Sequence, residues 1–274
     1  MSALGVVATW PVSTAAVAAI DRDGVVASVG PDVALPWASV TKLLTALTVL
    51  VAVDRGELTL DEPAGPPGST VRHLLAHASG LAPDDDAVLS APGRRRIYSN
   101  RGYERLAEFV AARSGTSFAA DMLDHVLRPL GLSDTRLEGS PASGARGPLR
   151  DLVALGRELL VPTLVPDLMA EATRTAFPGL PGILPGFGRQ EPNDWGLGFE
   201  IRDGKRPHWT GSNNSARTFG HFGRSGTFLW VDPDARLACA GLTDREFGEW
   251  AAAAWPVLSD AVLDEFARPS AADG

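Results

Sequence analysis

Ser39-Val40-Thr41-Lys42 heads a run in which Val40, Leu43, Leu44, Leu47, Leu50 and Val51 recur at helical spacing. Apolar residues at these intervals predict a helix, and Gly56 stands where a left-handed C-cap is expected. On such a helix, positions three apart share a face, so the Lys42 amine comes within reach of the Ser39 hydroxyl. Ser39 also lies at the predicted helix start, where unsatisfied amides favour a developing alkoxide, although serine there is equally a good N-cap.

The use of lysine is itself informative. The chain has two lysines, Lys42 and Lys205, against 23 arginines. Arginine keeps its proton, whereas a desolvated lysine can have its pKa lowered into the working range of a base. A structural cation in so arginine-rich a protein is expected to be arginine. The tetrapeptide alone leaves two readings level: a Ser–Lys nucleophile pair, or a lysine that snorkels or forms an ion pair.

Before this helix, Thr14 to Val29 reads as two short strands around the turn Asp21-Arg22-Asp23-Gly24. After it, helical patterns recur at Val71 to Ala76, Tyr103 to Ser114, Phe118 to Leu127 and Leu149 to Leu160. The Pro- and Gly-rich stretches Glu62 to Ser69 and Pro178 to Gly188 read as ordered loops able to line a cleft. Strand periodicity returns at Trp195 to Ile201, Thr227 to Val231 and Arg236 to Leu242. Phe247 to Phe266 is amphipathic, and Pro256 within it predicts a kink or two successive helices. The order of strands, helices and strands predicts an α+β, three-layer fold, with an antiparallel sheet flanked by helices. Residues 1–58 and 189–274 would build the sheet, 59–188 an inserted, mainly helical subdomain, and the active site would lie between them.

A net charge of −8 and a pI near 5.1 argue against nucleic acid and anionic membrane as partners. Arg94-Arg95-Arg96, close to Asp84-Asp85-Asp86, reads as a charged, solvated loop. Met1 to Val12 shows no secretory signal pattern, and the apolar stretch from Val40 to Val53 is too short to span a bilayer, which points to a cytoplasmic location. Cys239, the single cysteine, sits among small apolar residues and is expected to be buried rather than catalytic.

Two further stretches carry candidate chemistry. In Tyr98-Ser99-Asn100, a phenol can shuttle a proton for serine, and an amide can hold both Lys42 and a substrate carbonyl; the bland alternative is a capped helix start. In Gly220-His221-Phe222-Gly223-Arg224-Ser225-Gly226, glycines at a strand edge admit substrate close to the backbone. There the amide of Arg224 would join that of Ser39 in an oxyanion hole, and His221 would donate to substrate or tune the Lys–Tyr pair; alternatively His221 is a turn residue. His73 and His77 lack a third ligand for a metal and read as structural.

These three elements, in this order, resemble the serine β-lactamase and penicillin-binding protein superfamily, especially its class C and esterase-like branch. Val71-Arg72-His73-Leu74-Leu75-Ala76-His77-Ala78-Ser79-Gly80-Leu81, Trp195-Gly196-Leu197-Gly198-Phe199-Glu200 and Leu229-Trp230-Val231-Asp232-Pro233 are similar to segments of that branch. The resemblance implies an acyl-enzyme on Ser39, a proton relay through Lys42 and Tyr98, and binding roles for Asn100, His221, Gly223 and Arg224, with no cofactor. Two features depart from the pattern. His221-Phe222-Gly223 replaces the Lys-Thr-Gly of penicillin-recognising members, removing a hydroxyl that would bind a carboxylate, a role Arg224 would take if its side chain turned into the cleft. The short N-terminus implies that the family's usual first helix is reduced or missing. The expected function is an esterase or amidase on a small acyl substrate. A β-lactamase or D-alanyl-D-alanine carboxypeptidase is the alternative, and a non-hydrolytic sensor on the same scaffold a second.

Overall fold

In the computed structural model, which describes residues 2–267, the Asp21–Gly24 turn closes a hairpin between β1 (Ala15–Asp21) and β2 (Gly24–Val29). The Asp21 carboxylate accepts the backbone N–H of Asp23 at 2.8 Å and of Gly24 at 3.1 Å, the local bonding that makes aspartate a turn residue. The two-residue β3 (Leu35–Pro36) leads into a single 3-10 turn, Ala38–Val40, and then α1 (Thr41–Asp54). Ser39 therefore stands on the tight turn that feeds α1.

The middle of the chain holds α2 (Val71–Leu75), α3 (Asn100–Ser114) and α4 (Phe118–Met122), the last continuing through a π-helical turn at Leu123–Leu127. Strands β4 (Arg136–Leu137) and β5 (Ala145–Gly147) join β3 in a small sheet, followed by α5 (Leu149–Leu160) and α6 (Pro166–Ala172). A hairpin of β6 (Gly182–Leu184) and β7 (Gly188–Gln190) precedes the main sheet's remaining strands. These are β8 (Glu200–Ile201), β9 (Phe219–Gly223), β10 (Thr227–Asp232) and β11 (Leu237–Thr243), after which comes α7 (Glu249–Phe266).

The main sheet has six antiparallel strands in the order β2-β1-β11-β10-β9-β8, so the N-terminal hairpin pairs with the last strand. Alternation along each strand feeds two cores. Ala16, Ala18, Ile20, Leu229, Val231, Ala238 and Ala240 face the cluster that contains α1 and α5. Val17, Ala19, Phe228, Trp230 and Cys239 face α7 and the N-terminal 3-10 helix Ala3–Thr9. This is the expected α+β arrangement, an antiparallel sheet between helical layers. Strands buried on both faces carry few polar residues, which is why their alternation in the sequence is weak.

Several local expectations are corrected. Only Glu200–Ile201 of Trp195 to Ile201 pairs as strand: Gly198, at φ 101°, lies so close to α1 that a Cβ there would sit 2.1 Å from the Ala46 Cβ. The Gly220 to Gly226 segment, expected at a strand edge with His221 a turn residue in the bland reading, is itself the end of β9, His221 included, and its turn into β10. Helix α6 begins on Pro166 and has no counterpart in the periodicity reading. Helix α7 is one helix containing Pro256, because the face formed by Ala251, Trp255, Leu258, Val262 and Leu263 is buried and offsets the lost backbone bond. Before β1 the chain forms a short 3-10 helix, Ala3–Thr9, whose Ala3 N–H bonds the Glu265 carboxylate on α7.

Arg94 to Arg96 is not a uniformly solvated loop. Arg96 is buried, and its guanidinium donates to the carbonyls of Ala76 (2.7 Å), Asn193 (2.8 Å), Phe177 (2.9 Å) and Ala176. The neighbouring acidic run pairs elsewhere, with Asp86 bridging Arg101 and Arg105 on α3. Helix α5, from within residues 59–188, packs on β1, β10 and β11. We propose a division into a sheet lobe that includes α5 and a helical lobe made of the rest of that segment. Among the described residues no helix is long and apolar enough to cross a membrane.

Candidate active site

Helix α1 is buried on nearly every side, Lys42 included. Three of its side chains tie it to the chain before β5. Thr45 Oγ1 donates to Pro141 O (2.6 Å), Lys42 Nζ donates to Ala142 O (2.9 Å), and Thr41 Oγ1 accepts from Ala145 N (2.9 Å). Lys42 Nζ also donates to Asn100 Oδ1 at 2.7 Å and lies 4.6 Å from the centre of the Tyr98 ring. No carboxylate touches it. Burial lowers its pKa to about 7, and the more distant Asp84 and Glu104 offset only part of that shift.

The second lysine has the opposite setting. Lys205 is buried and bonds the Glu200 carboxylate, Asp194 O (2.6 Å) and Ile201 O. Glu200 is further held by His208 Nε2 (2.9 Å) and Trp209 Nε1 (3.0 Å). Burial alone would raise the Glu200 carboxyl, but His208 and Lys205 outweigh it and keep it ionised, well below the usual range. Lys205 is thus a structural cation, so the scarcity of lysine does not by itself mark a base. The absence of a directly bonded counter-ion is what sets Lys42 apart.

Tyr98 comes from the segment leading into α3, whose N-cap Ser99 accepts Gly102 N at 2.9 Å. Its hydroxyl is within hydrogen-bonding reach of Ser39 and 3.5 Å from His221 Nε2. Burial raises the Tyr98 pKa, outweighing the lowering by Ser39, so the phenol keeps its proton. His221 Nδ1 lies 2.7 Å from Phe222 O, which only an Nδ1–H can satisfy, leaving Nε2 as the acceptor facing Tyr98. Burial, assisted by Lys42, lowers the His221 pKa to about 3, and the ring is neutral.

The β9–β10 turn meets the Ser39 turn edge to edge. A Cβ at Gly223 would lie 2.4 Å from Trp37 O and 3.2 Å from Ser39 N, so glycine is required for this approach. Ala38, immediately before Ser39, is held at φ 44°, and Trp37 is anchored by its indole N–H on Gly147 O (3.1 Å). This contact brings the turn that begins after Gly223 up against the Ser39 backbone N.

Ser39, Tyr98, Asn100, His221 and Arg224 line one cavity of about 390 Å³, with Trp195, Leu184, Phe222 and Phe247 as its apolar wall. Gly223 and Lys42 lie behind it. The Arg224 side chain lines this cavity only at its rim, where it is 84% exposed and faces Glu246 at 3.7 Å. Asn100, expected to hold both Lys42 and a substrate carbonyl, accepts from Lys42 at Oδ1 and donates one Nδ2 hydrogen to Asp84 Oδ1 at 2.8 Å, which leaves its second Nδ2 hydrogen for a substrate.

Asp84, Trp195 and Glu200 escaped the sequence reading as pocket residues; the family-like segment Trp195 to Glu200 was the available signal. His77 escaped too. Its ring packs on Tyr98 at 4.6 Å and Trp195 at 4.7 Å, its Nδ1 accepts Ser99 N (3.1 Å), and burial holds it neutral. His73 bonds Thr70 Oγ1 (2.9 Å), and the described residues contain no group of three His, Cys, Asp or Glu side chains arranged for a metal.

A sheet of this order, with Ser39 and Tyr98 lining a cavity in front of the buried Lys42, defines a class, and comparison with known proteins agrees. The chain belongs to the Beta-lactamase family, whose model matches residues 8–263. A β-lactamase from Mycobacterium bovis is 53% identical, with a TM-score of 0.96, over 97% of this chain and 100% of that one. Among curated proteins, the D-alanyl-D-alanine-carboxypeptidase/endopeptidase AmpH of Escherichia coli (strain K12) is 26% identical over 141 residues, 38% of this chain and 37% of that protein. Penicillin-binding protein 4* of Bacillus subtilis (strain 168) is 31% identical over 133 residues, 36% of this chain and 30% of that protein. The matched stretch spans about a third of each curated relative.

Proposed function

We propose that the protein is a serine acyl hydrolase that forms an acyl-enzyme on Ser39 and acts on an ester or amide of a small acyl group. The observation that carries this reading is Lys42: an amine buried without a bonded carboxylate, its pKa lowered to about 7, one helical turn from Ser39. A neutral amine has two N–H groups and one lone pair. Asn100 Oδ1 and Ala142 O take the two N–H groups, which leaves the lone pair for the Ser39 proton.

In the acylation step the Ser39 Oγ–H proton passes to Lys42 Nζ, Oγ bonds the carbonyl carbon, and the oxyanion sits between the Ser39 and Arg224 N–H groups. The bond to the leaving group then breaks, and that group takes a proton from Lys42 through the Tyr98 hydroxyl. Water reverses the sequence: its proton goes to Lys42, its oxygen attacks the ester carbon, and Ser39 Oγ recovers a proton as the acid departs. Tyr98, which stays protonated, donates hydrogen bonds and relays protons; it is not a free base.

A neutral acyl group fits the wall formed by Trp195, Phe222 and Phe247. Phe222 offers no hydroxyl, and Arg224 faces outward to Glu246, so the cavity has no anion anchor next to the scissile carbonyl. Turnover of β-lactams is the second reading, favoured by the 53% identity to the Mycobacterium bovis β-lactamase.

The test is intact mass and peptide mapping after treatment with a fluorophosphonate, beside turnover of p-nitrophenyl acetate and a chromogenic cephalosporin. The proposal expects a single label on Ser39 and ester turnover. Faster cephalosporin turnover would promote the second reading, a stable acyl-Ser39 without turnover would mean a sensor, and no label would overturn the proposal.

A further inference from the structure

A second depression adjoins the catalytic cavity. It has a volume of about 770 Å³, and Pro83, Tyr98 and Pro185 line both, so the two lie side by side across these three residues. Its walls are the chain from Leu89 to Ile97 and the β6–β7 hairpin. Two large apolar side chains stand exposed on them, Leu89 at 51% and Ile183 at 64%. Three exposed arginines, Arg94, Arg95 and Arg189, also line it, with no aspartate or glutamate among the lining residues. In a chain of net charge −8 this is a local reversal of sign.

Each arginine has a distinct setting. Arg96 is consumed by backbone carbonyls in the interior, which fixes the path of the strip that bears Arg94 and Arg95. Arg95 Nη2 donates to Leu89 O at 3.0 Å, so its guanidinium lies along the groove wall. Arg189 pairs with the exposed Glu191, and Arg94 forms no ion pair among the described residues. The groove therefore offers apolar side chains on its walls and, at Arg94 and Arg95, guanidinium groups with no ion-pair partner among the described residues, the complement of an amphipathic anion.

Building on the acyl-hydrolase reading, we propose that this groove is a distal substrate subsite that receives an apolar chain ending in a carboxylate or phosphate, while the scissile carbonyl lies at Ser39. The neutral wall around Ser39 and the basic strip beyond it divide the substrate into an uncharged reacting end and an anionic far end.

Calorimetric binding to the Ser39→Ala protein tests this without requiring turnover. Monomethyl suberate, octyl phosphate and the uncharged dimethyl suberate are compared at low and high ionic strength. At low salt at least one of the two anions is expected to bind about tenfold more tightly than the diester, an advantage that shrinks as salt screens the exposed charges. The stronger of the two identifies the terminal group. Combined Arg94→Glu, Arg95→Glu and Arg189→Glu substitutions are expected to abolish the anion preference while the diester binds as before. Equal binding of anions and diester, or a preference the triple substitution leaves intact, overturns the subsite. Failure of Ser39 to label with fluorophosphonate in the wild-type protein would overturn the catalytic reading alone.

Discussion

On the proposed acyl-hydrolase mechanism, Lys42 concentrates the chemistry in one proton. With its pKa lowered to about 7, the amine gains its lone pair as pH rises through neutrality. A base must be deprotonated to act, so kcat/KM for an ester should climb about tenfold per pH unit below that value and level off above it. His221, lowered to about 3, stays neutral throughout and should add no second limb between about pH 5 and 8. A His221→Asn enzyme assayed over the same range should keep the Lys42 inflection. The pair also acts as a unit: Ser39→Ala should cost on the order of 10³-fold in kcat, and adding Lys42→Ala to it should cost little more. Additive losses in that double-variant series would count against the assignment.

At the scale of elements, the site is a junction between the tight turn before α1 and the β9–β10 turn. Gly223 is the contact point, and any side chain there meets the Trp37 carbonyl and the Ser39 amide. Gly223→Ala should fold, because the clash is confined to one contact at the end of the sheet, yet lower kcat/KM by about 10²-fold through displacement of Ser39. Circular dichroism and steady-state kinetics on the same sample separate the two effects. The strand that carries His221 was legible only as a glycine-rich stretch. Gly220 and Gly223 have no side chains to show alternation, and β9 is paired on both sides, by β8 and β10, so its pairing partners rather than its own pattern make it a strand.

Across the whole molecule, Arg96 joins regions that are remote in sequence. Its guanidinium bonds carbonyls at residues 76, 176, 177 and 193, close behind Tyr98 and the β6–β7 hairpin. Arg96→Ala would leave these buried acceptors unpaired and should destabilise the protein by about 3 kcal/mol. For a chain of this size that is a fall in Tm of roughly 5 °C, measurable by calorimetry. Loss of the groove wall should accompany it, since the Arg94–Ile97 strip is held in place from this residue.

The order of the elements and the candidate nucleophile, lysine and tyrosine can be read directly from the sequence, because helix α1, the Asp21–Gly24 turn and the Ser99 cap rest on local periodicity and local hydrogen bonds. Local patterns reach only a few residues along the chain, and what they left open depends on partners far away. Lys42 and Lys205 look alike as isolated letters; burial against Asn100 and Ala142, 58 and 100 positions away, lowers the pKa of the first to about 7, while the second closes on a carboxylate only five positions upstream, a pairing set by the packing of β8 and not by any local pattern. Arg96 looked like its two neighbours until four distant carbonyls closed on it, and Arg224 turned outward because Glu246 lies there. Desolvation and pairing are properties of the packed interior, and only the tertiary structure decides them.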